Sequence, residues 1–177
     1  WLNLIKKDYI NITVNIVTSE RYCVVKVAHW LLINVYLPCS GTANRILIIN
    51  NKLCEIQGII LNHPDSDCLV AGDFNSDLSD CKLNDVNDAI NAFIDFNHLQ
   101  RCDIIFPVGN TATYVNESLN HSSAFDYMLS SNSSRTFAFN ILDIDLNLSD
   151  HLPIMVLCEL NTCASVVKGS YQEYVSY

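Results

Sequence analysis

The run Leu69-Val70-Ala71-Gly72-Asp73-Phe74-Asn75 takes an apolar stretch into a carboxylate and a carboxamide two residues apart. Strand side chains alternate faces, so Asp73 and Asn75 can point one way while Phe74 points into packing. A carboxylate only accepts hydrogen bonds, whereas a carboxamide donates and accepts, and together they can handle a water and a phosphate. Read alone, the same residues are a Gly-Asp turn followed by an Asn suited to loops. Three further polar landmarks stand at the ends of strand-like runs: Tyr36, Asp126 after Ala124-Phe125, and Ser149-Asp150-His151 ahead of an apolar run. Each has a plainer reading by itself. Tyr36 is then a rim aromatic, Asp126 a cross-strand hydrogen-bond partner, and Asp150-His151 a turn before Pro153. Strand ends gathered on one rim are, however, where a site can be assembled from distant positions.

The elements that must carry these residues follow from periodicity. Residues 11–17 alternate Ile12, Val14 and Ile16 against Asn11, Thr13 and Asn15, the pattern of a half-buried strand. Residues 22–28 and 31–36 are two more strand-like runs, so the first three strands form an antiparallel meander. From Asn44 the period changes: Ile46, Ile49, Leu53, Ile56 and Ile60 recur at three- and four-residue steps, the mark of one helical face packed on a core. A strand over 68–71 follows the loop Asn62-His63-Pro64-Asp65. A second amphipathic helix covers 84–96, with Val86, Ile90, Phe93 and Ile94 inward and Asn84 or Asp85 as its cap. Residues 111–115, 124–129, 136–141 and 153–160 read as further strands. Strands interleaved with two helices and no internal repeat predict a layered α/β sandwich of mixed, mainly antiparallel sheets flanked by helices. One domain over residues 1–160 is expected, followed by a tail or linker over 161–177.

The bulk properties bound the function. Of 177 residues, 50% are hydrophobic and 16% charged, a globular composition long enough for one substantial core. A formal net charge of −9 argues against generic electrostatic attachment to nucleic acid or anionic membrane. It leaves room for a nuclease, whose own site carboxylates add to the count. The eight cysteines are scattered with no Cys-x-x-Cys pair, which favours reduced, mostly buried thiols. Sequons at Asn11, Asn116, Asn120, Asn132 and Asn147 matter only in a secretory context. No secretory leader and no membrane-length apolar run is legible, so an intracellular protein, nuclear or cytoplasmic, is expected.

In combination the motifs resemble the endonuclease/exonuclease/phosphatase superfamily, and within it the endonuclease domains of non-LTR (LINE-type) retrotransposons. The matching pieces occur in that family's order: Ile33-Asn34-Val35-Tyr36-Leu37-Pro38, Leu69 through Asn75, Thr111-Ala112-Thr113-Tyr114, Phe125-Asp126-Tyr127-Met128-Leu129, and Ser149-Asp150-His151-Leu152-Pro153-Ile154. The resemblance extends to about Leu160 and implies a DNase I-like fold and metal-dependent phosphodiester hydrolysis, with DNA as substrate. It also implies fusion to a reverse transcriptase in a complete element.

Carried residue by residue, the resemblance makes Asp73 the general base that deprotonates the attacking water. Asn75 would donate to a phosphate oxygen and His151 would be a second phosphate donor, its tautomer held by Asp126. Asp150 would help hold Mg²⁺ or Mn²⁺. Tyr36, and with it Thr113, would place a hydroxyl on the phosphate. Residues 130–135 fall where a groove-entering hairpin is expected, with Arg135 as its cation. Complete members carry an Asn-bearing strand and a Glu-bearing strand before the position matching Trp1. The chain is therefore expected to be an N-terminally truncated domain, with a catalytically inactive remnant as one alternative and a phosphomonoesterase as another.

Overall fold

The computed structural model describes residues 7–79, 84–142, 147, 149–160 and 174–175. A short 3-10 turn over Lys7–Ile12 leads into strands β1 (Thr13–Thr18), β2 (Tyr22–Val27) and β3 (Trp30–Tyr36), and helix α1 (Arg45–Leu61) returns the chain to β4 (Asp67–Asp73). Helix α2 (Asp85–Phe96), the short β5 (Gln100–Arg101) and the one-turn α3 (Cys102–Ile105) follow. The hairpin β6 (Tyr114–Asn116) and β7 (His121–Ser123) precedes β8 (Asp126–Ser130), β9 (Thr136–Ile141), β10 (Ile154–Cys158) and β11 (Tyr174–Val175).

The main sheet has the order β1-β2-β3-β4-β8-β5, and a second sheet has the order β11-β10-β9. The meander expected for β1 to β3 is antiparallel, as is β4 against β8. Among the described strands only β3 and β4 run parallel, and that pairing needs the long crossover that α1 supplies.

Strand alternation sorts the main sheet into two faces. Leu31, Ile33 and Val35 of β3, Val70 of β4 and Tyr127 and Leu129 of β8 join Ile49, Leu53 and Ile56 of α1 and Val86, Ile90 and Phe93 of α2 in one core. The alternate residues Trp30, Leu69 and Met128 pack instead against Phe139, Ile154 and Val156 of the second sheet. Both helices thus lie on one face and the small sheet on the other. The five apolar positions of α1 expected to face inward do so: Ile49, Leu53 and Ile56 are buried, and Ile46 and Ile60 pack at the margin. Asn84 caps α2, accepting from the Val86 N–H at 3.0 Å.

One local expectation needs correction, and three short elements were not expected. The strand expected at 111–115 begins only at Tyr114, because the Asn110 side chain accepts from the Ala112 N–H and turns the chain first. The short β5, α3 and β7 have too few residues to show a period. Within the expected tail, Tyr174–Val175 pair with Met155 and Val156 of β10, while residues 161–173 lie outside the described set.

Candidate active site

Parallel pairing of β3 with β4 and antiparallel pairing of β4 with β8 bring three strand ends to one rim. Asp73, the last residue of β4, is in register with Tyr36 on one side and Asp126 on the other. Gly72 makes this approach possible: its φ of 135° is one that side chains rarely adopt, and a Cβ there would lie 2.1 Å from the Val35 carbonyl oxygen. The turn that follows is held from several directions. The Leu37 N–H donates to the Asp73 carbonyl at 2.9 Å, and the Phe74 N–H donates to that of Phe125 at 2.8 Å. Phe74 is buried edge-on to Tyr127. Arg45, in the first turn of α1, donates to the carbonyls of Pro38 and Asn75 at 2.8 and 2.6 Å.

Asn75, with a left-handed φ of 50°, closes back on Asp73. Its N–H donates to Asp73 Oδ1 at 2.7 Å, and its Nδ2 donates to Asp73 Oδ2 at 2.8 Å and to the Leu37 carbonyl at 2.9 Å. A carboxamide nitrogen has two hydrogens, and both are thereby engaged. The expected donor to phosphate is, in this structure, the residue that orients Asp73. Burial and the facing Asp126 carboxylate push the Asp73 carboxyl up to about 6, although the Asn75 hydrogen bonds and His151 pull the other way.

His151 reaches the rim from the far end of the sequence through a single bridge to Tyr114. Its Nδ1 lies 2.8 Å from Asp126 Oδ2. Because a carboxylate can only accept, Nδ1 carries the proton and Nε2 is left for other work. The hydrogen bond to Asp126 raises the imidazole's pKa, against the opposing effect of burial. The Tyr114 ring packs edge-on to the imidazole, 5.2 Å between centroids. Asp150 is exposed beside His151, and its carbonyl accepts from the Val115 N–H at 2.8 Å.

Two expected substrate contacts are placed differently. Thr113 is 1% exposed, and its hydroxyl oxygen accepts from the N–H groups of Phe125 at 3.0 Å and Asp126 at 2.9 Å. It holds the strand that carries Asp126 instead of facing outward. Arg135 ends a 3-10 turn and pairs with Asp67 at 2.8 Å, at the opposite end of β4 from Asp73. Six residues of strand separate those two ends by about 20 Å. The hairpin that does stand beside His151 is β6–β7, whose connecting turn exposes Leu119.

A buried polar clamp under the Asp73 turn went unread in the sequence. Ser76 donates to Asn87 Oδ1 at 2.6 Å, and Asn87 Nδ2 donates to the Asp77 carbonyl at 2.9 Å. Both side chains are buried, Ser76 at 4% and Asn87 at 5% exposure. The Tyr127 hydroxyl links the two loops, accepting from the Leu78 N–H at 2.9 Å and donating to the Ala124 carbonyl at 2.7 Å. One signal was available: Asn87 shares a helical stripe with Ile90 and Ile94, three and seven residues on.

The donor set at the rim is rich in hard oxygens, which suits Mg²⁺ or a similar cation. Among the described residues no three His, Cys, Asp or Glu side chains converge on one point. A cation held there by one or two carboxylates would keep waters and phosphate oxygens as its other ligands.

Residues 30–155 match the family model described as endonuclease-reverse transcriptase. No curated protein matches the chain. Among solved structures, a 3′-phosphatase from Neisseria bound to a product DNA hairpin aligns with a TM-score of 0.65 at 13% identity. An AP endonuclease from Archaeoglobus fulgidus aligns with a TM-score of 0.61 and a 3′-5′ exonuclease from Neisseria meningitidis with 0.64, both at 16% identity. Each alignment covers 79% of this chain and 65% of the other, so the chain spans just under two thirds of their length. At these identities the likeness establishes a shared fold.

Proposed function

The chain belongs to the endonuclease-reverse transcriptase family, whose model matches well over half of it, and from that membership we propose that it is a phosphodiesterase that nicks DNA, of retrotransposon origin. The observation that carries the proposal is the convergence of Asp73, Asp126 and His151, from three separate segments, on one rim of the main sheet.

In this reading Asp73, oriented by Asn75, takes the proton from the attacking water. His151, as the imidazolium that Asp126 favours, donates from Nε2 to a phosphate oxygen, while its Nδ1–H stays on Asp126 and keeps the ring aimed. Tyr36 stands next to Asp73 in register and offers its hydroxyl to the same phosphate. Asp150 would hold a divalent cation, which when bound neutralises charge developing on the phosphate oxygens. The 3′-phosphatase among the structural relatives makes phosphomonoester hydrolysis the alternative to exclude.

Conversion of supercoiled plasmid to the open circle by the purified chain, with Mg²⁺ or Mn²⁺ supplied, tests the proposal. Asp73→Asn is expected to slow nicking by roughly 10²- to 10⁴-fold, the contribution of a general base. Nicking that survives unchanged in Asp73→Asn and His151→Ala would refute it. Phosphate release from a 3′-phosphorylated oligonucleotide without any nicking would transfer the site to the phosphomonoesterase reading.

A further inference from the structure

On a chain with a net charge of −9 the few cations are informative. Most of those described are committed to neighbours. Arg45 spends Nε and Nη2 on backbone carbonyls. Lys52 pairs with Glu55, Arg101 with Asp103 and Arg135 with Asp67. Among the cations whose side chains are described, only Arg21 and Lys26 have no carboxylate or carbonyl accepting from them. Lys26 pairs in register with Leu31 near the start of β3, toward the Asp67 end of the sheet.

Arg21 is at the other end. It sits in the turn between β1 and β2, its carbonyl accepts from the Tyr36 N–H at 2.8 Å, and Tyr36 is in register with Asp73. Its guanidinium carbon lies 5.3 Å from the centroid of the Tyr36 ring. A guanidinium laid over an aromatic face keeps its planar fork of donors available at the ring's edge, the geometry that takes a phosphate through two parallel hydrogen bonds.

We infer that Arg21, seated on the Tyr36 ring, binds a backbone phosphate of the DNA a few nucleotides from the one being cleaved. The inference rests on the nuclease reading above. Arg21 and Asp73 are separated by two strand spacings, about 10 Å. With one phosphate per about 3.4 Å of axis along a strand, the contact falls roughly three nucleotides from the scissile bond. It supplies a local positive anchor that the acidic surface otherwise denies to DNA.

The test is the salt dependence of duplex binding, read by fluorescence anisotropy of a labelled oligonucleotide in EDTA, where no cleavage occurs. Each neutralised phosphate adds about 0.9 to the slope of log affinity against log salt. Arg21→Gln is expected to lower the slope by about that amount and to weaken binding several-fold at low salt. Arg21→Lys, which keeps the charge, and Lys26→Gln, which removes one at the far end, are expected to keep it. An unchanged slope in Arg21→Gln beside a wild type that binds overturns the contact alone. So does an equal loss in Lys26→Gln, which would reflect overall charge. A wild type that binds no duplex overturns the nuclease reading and this contact with it.

Discussion

Asp73 and Asp126 are direct register partners across β4 and β8, so two carboxylates face each other at the end of the main sheet. Each is tied to a different neighbour: Asp73 receives both Asn75 donors, and Asp126 receives His151. This division of labour separates the two groups chemically. The carboxyl held by the amide is pushed up to about 6 by burial and by its partner's charge. The carboxylate paired with the imidazole raises that imidazole's pKa in turn.

A pH dependence of stability follows from the raised Asp73 carboxyl. Below about pH 4 the group is protonated whether the chain is folded or not. As pH rises, the unfolded chain gives up this proton first, so between about pH 4 and 6 the folded state binds more protons and stability falls. The contribution is fully present below the unfolded value and is lost as pH passes about 6. At two pH units it amounts to at most about 3 kcal/mol. Urea unfolding at several pH values between 4 and 8 should show this slope in the wild type and a flatter one in Asp73→Asn. Asn75→Ala, which removes the side-chain hydrogen bond that lowers the carboxyl and keeps the backbone one, should extend the loss to higher pH.

Thr113 supplies a second test, because its buried hydroxyl accepts from two backbone N–H groups next to Asp126. Thr113→Val leaves both donors without a partner and should cost about 2 kcal/mol or more. It should slow nicking as well, through displacement of Asp126. Thr113→Ser keeps the oxygen and should restore most of both. Wild-type stability in the valine variant would show that the hydroxyl does not carry the strand.

Gly72 admits no side chain at its backbone angle, and a Cβ would collide with the Val35 carbonyl. Gly72→Ala should therefore destabilise by more than about 2 kcal/mol, since strain and a backbone clash add. Thermal or urea denaturation reads this directly. A loss under about 0.5 kcal/mol would mean that β3 and β4 separate easily at their ends.

Asn87 should separate positioning from binding. Asn87→Ala removes the groups that hold Ser76 and the Asp77 carbonyl. It should slow nicking by roughly tenfold or more while leaving duplex affinity within about twofold, because small displacements at a reacting centre cost rate. An affinity loss as large as the rate loss would count against a positioning role.

The apolar alternations and the two amphipathic stripes were legible because strand and helix periods are local properties, repeated over 6 to 17 residues. They placed the first three strands, both long helices, β8, β9 and β10, and identified Asp73, Asp126 and His151 as strand-end groups. What each polar residue does was not local. Thr113 and Asn75 are of types that serve equally at a ligand or at a backbone, and the choice was made by partners 12 residues away for Thr113 and 38 for Asn75. The position of Arg135 relative to Asp73 was not legible because a sequence does not say which way a strand runs. β8 leads away from Asp73, antiparallel to β4, and delivers Arg135 to Asp67. Composition and spacing determined the layers and the inventory of chemical groups. Strand direction and register, which depend on pairings between distant segments, decided which of those groups meet.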